Sequence, residues 1–173
     1  MGSPVSGSLE IEPLRTRHLR SVATIDAASY PQPWSRELWR SELRRADRIY
    51  LAALERHDLV GYAGGLIALG DVHIMTIAAH PERRGEGIAT RLLLALLDEA
   101  IEAGCTAATL EVRESNVVAQ SLYSRFGMTA AGVRPGYYEP DGEDAMVMWV
   151  HAIDGAEYRS LLGTISQQLE DAA

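Results

Sequence analysis

The sequence predicts a single-domain α/β protein, a mixed and mostly antiparallel sheet flanked by helices, with one extra helix at the C-terminal end. Three observations lead there. The chain has 173 residues, about one domain's worth at roughly 100 to 200 residues per domain. Its apolar fraction is 47% and its charged fraction 23%, the mix of a packed globular chain and not of a disordered one. Segments of two-residue and of 3.6-residue periodicity follow in the order strand, two helices, three strands, helix, strand, helix, two strands, helix. Hairpins mixed with helical crossovers call for a sheet of mixed direction.

Taken in order, residues 1–8 are rich in Gly, Ser and Pro and read as a flexible leader. Leu9 to Leu14 alternates as a half-buried strand does, and Thr16 can cap a helix carrying Leu19, Val22, Ile25 and Ala28 on one face. Tyr30-Pro31-Gln32-Pro33 ends it, and Ser35 can cap a short helix reaching Ala46, with Leu38, Trp39 and Leu43 as its apolar side. Ile49 to Glu55 and Leu59 to Leu69 form a hairpin turning at His57-Asp58, and Val72 to Ala79 is a third strand. The longest helical pattern, Gly87 to Ala103, stops at Gly104. Thr106 to Val112 is a strand, Asn116 to Phe126 a helix, and Met128 to Val133 and Ala145 to Val150 are strands. Tyr158, Leu161, Leu162, Ile165 and Leu169 share a helical stripe, so residues 9–150 are expected to form the domain and 151–173 a helical extension.

Composition removes several chemistries. All 16 basic residues are arginine, which excludes a Schiff-base lysine and the phosphate-gripping lysine of a P-loop. A net charge of −8 argues against nonspecific nucleic-acid binding, which needs a basic footprint, and suits a small or basic partner, although such a charge is also ordinary in cytosolic proteins. The single cysteine, Cys105, allows no internal disulfide, and the five histidines show no H-x-x-x-H spacing, so no metal is expected. No apolar run reaches the 18 or so residues of a membrane span and the first residues lack the features of a signal peptide, so no membrane partner and a cytoplasmic location are expected.

Arg84-Gly85-Glu86-Gly87-Ile88-Ala89-Thr90 lies between a strand and the long helix. Gly87 and Ala89 keep side-chain bulk low at the helix start, where backbone N–H groups and the helix dipole favour an anion, so the segment suits a pyrophosphate. It is neither a P-loop nor a dinucleotide fingerprint, and a plain tight turn is the alternative.

The order Ile77-Ala78-Ala79-His80-Pro81, then Arg84-x-x-Gly87-x-Ala89, resembles the Gln/Arg-x-x-Gly-x-Gly/Ala signature with which the GNAT acetyltransferase superfamily binds acetyl-coenzyme A. Leu110-Glu111-Val112-Arg113-x-Ser115-Asn116, Leu122-Tyr123 and Phe126-Gly127-Met128 look like the second half of that fold. Pro33-Trp34-Ser35, Arg134-x-x-Tyr137-Tyr138 and Asp141-Gly142-x-Asp144-Ala145 are similar to RimI-type ribosomal-protein-alanine N-acetyltransferases. The match runs over roughly residues 9–150, with Ala89 in place of the commoner second glycine.

The resemblance implies a GNAT fold, acetyl-coenzyme A as cosubstrate, and acetyl transfer to the N-terminal α-amine of a protein, that of a ribosomal protein. It leaves the oligomeric state open. It implies Glu111 as general base and Tyr123 as the acid that protonates the coenzyme A thiolate; the plain alternatives are an edge carboxylate and a core aromatic. It implies coenzyme contacts from Ile77, Ala78 and Ala79 through their backbone, from Arg84 to Thr90, and from Asn116, which is also an ordinary helix cap. It places Trp34, Arg134, Tyr137 and Tyr138 on the peptide side, with packing as the alternative. Glu139, Asp141, Glu143 and Asp144 read as a solvated turn or as a lure for a basic peptide. Cys105 is expected to be a small buried packing residue. Lysine or small-amine acetylation and a non-catalytic acetyl-coenzyme A-binding regulator are the competing functions.

Overall fold

In the computed structural model, which describes residues 8–173, seven strands take the order β1-β2-β3-β4-β5-β7-β6. They are β1 (Leu9–Pro13), β2 (Arg48–Glu55), β3 (Asp58–Ala68), β4 (Asp71–Ala79), β5 (Ala107–Arg113), β6 (Thr129–Arg134) and β7 (Ala145–His151). The helices are α1 (Leu19–Ser29), α2 (Arg36–Glu42), α3 (Ile88–Glu102), α4 (Val117–Arg125) and α5 (Ala156–Asp171). β1 pairs antiparallel with β2, and β7 with both β5 and β6, whereas β4 and β5 run parallel. The mixed sheet, the flanking helices and the extra C-terminal helix are those expected. The leader read over residues 1–8 lies, except for Ser8, outside the described residues. Two compact units divide the chain, one ending at Gly64 and taking in Thr76–Leu96, the other made of Gly65–Met75 and Leu97–Ala173.

In the first unit, Leu19, Val22 and Ile25 bury the inner face of α1 against Trp39, Tyr50, Ala52, Leu54, Leu59, Tyr62 and Ala78. The Ser35 hydroxyl accepts from the Leu38 N–H at 3.1 Å and starts α2. That helix ends at Glu42, short of Ala46, because its last turn tightens: Arg44 N bonds Ser41 O at 3.2 Å and Arg45 N bonds Glu42 O at 3.1 Å. The β2–β3 turn sits at Arg56-His57, both at positive φ (49° and 75°), one residue earlier than the sequence suggests. Gly61 lets α3 begin close to β3, since a Cβ there would lie 2.8 Å from Ile88 Cγ2 and 2.9 Å from Ala78 O.

In the second unit β5 buries Ala108, Leu110 and Val112 and leaves Thr109, Glu111 and Arg113 half-buried on the other face. α5 packs on its own unit: the Tyr158 hydroxyl donates to Phe126 O at 2.8 Å, and Tyr158, Leu162, Ile165 and Leu169 are buried. Gly127, at φ 79°, keeps the side chains of Tyr158 and Leu161 near its backbone. Cys105 is fully buried, as expected.

Candidate active site

In the first unit, β4 ends at Ala79 and a short 3-10 turn, Pro81–Arg83, leads to the glycine loop. The sequence reading missed that turn; the His80 ring accepts from the Glu82 N–H at 3.2 Å and caps it. Gly85 and Gly87 both take positive φ (82° and 77°), which glycine adopts without strain. Arg83 holds Glu55 and Glu86 at 2.7 Å each, so the acid of the loop is paired sideways. Arg84 is exposed, Ala89 half-buried, and Ile88 and Thr90 are buried at the start of α3, where Arg91 N bonds Gly87 O at 3.0 Å. Ala78 turns its side chain into the core. The Ile77 carbonyl accepts from the Tyr30 hydroxyl at 3.3 Å, and the same hydroxyl meets Thr76 Oγ1 at 2.8 Å.

Trp34 is half-buried, its ring 4.9 Å from that of Trp39. Beneath the pair is Asp26, 3% exposed. It accepts from Trp39 Nε1 at 3.1 Å, from Trp34 N at 3.3 Å and from the Tyr62 hydroxyl. Burial, and then the Asp26 hydrogen bond, raise the Tyr62 phenol far beyond its usual range. The packing alternative for Trp34 therefore holds in part: its backbone and ring belong to this cluster.

In the second unit, Glu111 is the centre of a charged group. Its side chain is 10% exposed, Oε2 lies 2.5 Å from His73 Nε2 and Oε1 3.3 Å from Arg134 Nη2. The topology makes this meeting: His73 stands opposite Thr109 in the parallel pair, two residues before Glu111 on the same face. From the other side Gly132 and Glu111 share Val147 as register partner, and Arg134 is two residues beyond Gly132. The Arg134 guanidinium lies 5.8 Å from the Tyr137 ring centre, the Tyr137 and Tyr138 rings are 5.1 Å apart, and Arg113 sits 4.3 Å over Tyr138. Four of the expected residues, Glu111, Arg134, Tyr137 and Tyr138, are thus contiguous. Tyr123 is half-buried on α4, whose N-terminus Asn116 caps by accepting from Ala119 N at 3.1 Å.

The acidic loop is an exposed turn at residues 139–142, as expected, but three of its four acids are tied by hydrogen bonds. Arg113 Nη1 reaches Asp141 at 2.9 Å and Glu143 at 3.3 Å, Glu143 accepts from Ser115 N at 2.9 Å, and Asp144 accepts from Gly136 N at 2.8 Å. Arg113 holds Asp141, and Ser115 holds Glu143, below the usual carboxylate range. These bonds shape the 134–144 segment. His73 went unnoticed in the sequence because only a parallel register, which periodicity does not encode, brings it to Glu111. Among the described residues no group of three or more His, Cys, Asp or Glu side chains could hold a metal ion, and no helix is long and apolar enough to cross a membrane.

The mixed sheet, with a glycine loop opening its long helix, is an α/β fold of the acetyltransferase class, and the chain belongs to the acetyltransferase (GNAT) family, whose model matches residues 19–128. Among individual relatives, it is 36% identical over 138 residues to a putative [ribosomal protein bS18]-alanine N-acetyltransferase of Bacillus subtilis (strain 168), covering 79% of this chain and 91% of that protein. The crystal structure of the ribosomal-protein-S18-alanine N-acetyltransferase from Escherichia coli superposes with a TM-score of 0.77 at 28% identity, over 84% of this chain and 94% of that one. Arabidopsis thaliana NAA60 in complex with acetyl-CoA shares the fold, with a TM-score of 0.77 at 20% identity, over 86% of this chain and all (100%) of that one.

Proposed function

We propose that this protein transfers the acetyl group of acetyl-coenzyme A to the N-terminal alanine α-amine of a ribosomal protein in the cytoplasm. The observation that carries this reading is the Glu111 carboxylate, 10% exposed and held at both oxygens by His73 and Arg134, in a chain 36% identical to a relative named for that reaction. Residues 9–150 serve as the catalytic domain, and 151–173 as an extension that stabilises it. When bound, acetyl-coenzyme A supplies an activated acyl group. The loop from Arg84 to Thr90 holds its pyrophosphate on backbone N–H groups, with Ile77, Ala78, Ala79 and Asn116 as further contacts.

Glu111 takes a proton from the acceptor ammonium, and the freed amine attacks the thioester carbonyl within a ternary complex. Tyr123 gives its proton to the departing thiolate and recovers one from the attacking nitrogen. Trp34, Arg134, Tyr137 and Tyr138 receive the peptide.

Incubation with acetyl-coenzyme A and an Ala-starting peptide is expected to release coenzyme A thiol and leave the peptide acetylated at its N-terminus. Ala89→Glu, which adds a carboxylate at the helix start without demanding positive φ, is expected to weaken acetyl-coenzyme A binding by calorimetry about tenfold or more. Thiol release absent from the wild type, or unchanged affinity in a folded Ala89→Glu protein, would contradict the reading.

A further inference from the structure

We propose that His73 is a positioning residue for the acetyl transfer: its imidazole holds Oε2 of Glu111 and orients that carboxylate for the acceptor amine. The inference rests on the reading of Glu111 as base.

Geometry separates the two groups that hold the carboxylate. His73 Nε2 is in close hydrogen-bond contact with Oε2, at 2.5 Å, whereas Arg134 is 3.3 Å from Oε1 on a side chain 58% exposed. An exposed arginine at that distance is a loose tether. His73 lies inside β4, between the buried Val72 and Ile74 and with its backbone register set against β5, whereas Arg134 is the last residue of β6. A carboxylate with 10% exposure loses much of its hydration, and an N–H donor fixed on one oxygen offsets part of that loss and fixes the direction of the other oxygen.

The charged groups on this face are His73 and Asp71 from β4, Arg134 from β6, and Arg113 two residues on in β5, which is paired with Asp141 and Glu143. β7 sets Val147 and Ala145 opposite Glu111 and Arg113. His73 is thus the donor of this set held closest to Glu111.

In the reaction the protons balance without a co-reactant. The acceptor ammonium passes one proton to Glu111, the nitrogen–carbon bond forms as the carbon–sulfur bond breaks, the nitrogen's second proton ends on the thiol through Tyr123, and Glu111 returns its proton to water. His73 touches neither substrate. It fixes the direction from which the Glu111 carboxylate meets the acceptor amine.

The test is kcat and peptide KM near neutrality, at saturating acetyl-coenzyme A and with an Ala-starting peptide, for wild type, His73→Gln, His73→Asn, His73→Leu and Glu111→Gln. The glutamine amide N–H reaches the place of Nε2, and the asparagine amide does not. His73→Gln is expected to keep kcat within about threefold of wild type. His73→Asn and His73→Leu are expected to lose about tenfold or more in kcat near neutrality, with peptide KM little changed. His73→Leu/Glu111→Gln is expected to be no slower than Glu111→Gln alone.

Should His73→Leu fail to fold, the Gln and Asn pair decides. Equal kcat for that pair, or wild-type kcat in His73→Leu, would overturn the role of His73 while leaving that of Glu111 intact. Wild-type kcat in Glu111→Gln would overturn the reading of Glu111 itself.

Discussion

Two enclosed carboxylates, Asp26 in the first unit and Glu111 in the second, are held in opposite ways. Asp26 is 3% exposed and receives only neutral donors, two N–H groups from Trp39 and Trp34 and the hydroxyl of Tyr62. Every one of those donors belongs to the packed cluster that also contains α1 and β3. Glu111 is 10% exposed and receives a histidine and an arginine whose side chains are 34% and 58% exposed. A carboxylate whose donors are themselves buried is tied into the core. One whose donors reach water is able to exchange a proton and has partners that respond to a ligand.

Exchanging the consequences of mutation at these two positions would break the comparison. The largest effect is expected at Glu111: Glu111→Gln loses about a hundredfold or more in kcat, while its melting temperature moves by less than about 3 °C, the shift of roughly 1 kcal/mol in a chain of this size. Asp26→Leu is expected to do the reverse. Leaving the Trp39, Trp34 and Tyr62 donors without their acceptor costs about 3 kcal/mol or more, at about 1 kcal/mol or more for each buried group. Melting should fall by roughly 6 to 12 °C. Calorimetric melting of both variants beside their initial rates checks this; a Glu111→Gln protein that melted as early as predicted for Asp26→Leu, or a fully stable Asp26→Leu, would erase the distinction.

A smaller effect sharpens it. Glu42 is buried and accepts from Arg48 Nε at 2.6 Å and from the Tyr50 hydroxyl at 2.7 Å, both on Oε2. Burial alone would raise its pKa, but the Arg48 and Tyr50 hydrogen bonds together hold it below the usual glutamate value. A lowered folded pKa means that the unfolded chain binds the proton more readily, so the stabilisation is present at neutral pH and lost as pH falls through the folded value. Glu42→Gln is expected to be less stable than wild type at pH 7, by about 2 kcal/mol for a charge-assisted bond, with the gap narrowing as pH falls. Denaturant titrations of the two proteins at neutral pH and in acid check the sign; a gap that widened in acid would contradict it.

The local pattern of the chain was largely legible in the sequence. Leu19, Val22 and Ile25 announced α1, Ser35 announced the start of α2, and Tyr158, Leu162, Ile165 and Leu169 announced α5, because a helix face and its cap are set by residues within a few positions. The early end of α2 was hidden, since Glu42 faces Arg48 and Tyr50 across a turn. The site divided along the same line. Glu111 and Arg134 were picked out by their resemblance to a family pattern, and the structure joins them through β7. His73 and Asp26 were invisible because their partners lie 38 and 36 residues away for Glu111 and Tyr62, across pairings that periodicity does not record. The acidic loop was legible as an exposed turn, but its hydrogen bonds to Arg113 and Ser115 were hidden for the same reason.

Competition between two peptides bears most directly on the central claim that a protein α-amine is the acceptor. One peptide begins with a free alanine and carries a blocked lysine; its twin has a blocked N-terminus and a free lysine. An α-amine titrates near about 7.7 to 8.0 and a lysine amine near about 10.4, so the first asks far less of a glutamate base at neutral pH. With equal amounts of both and limiting acetyl-coenzyme A, mass spectrometry is expected to find the acetyl group on the free alanine. Preferential acetylation of the free lysine would contradict the assignment and make this protein a lysine acetyltransferase of the same fold.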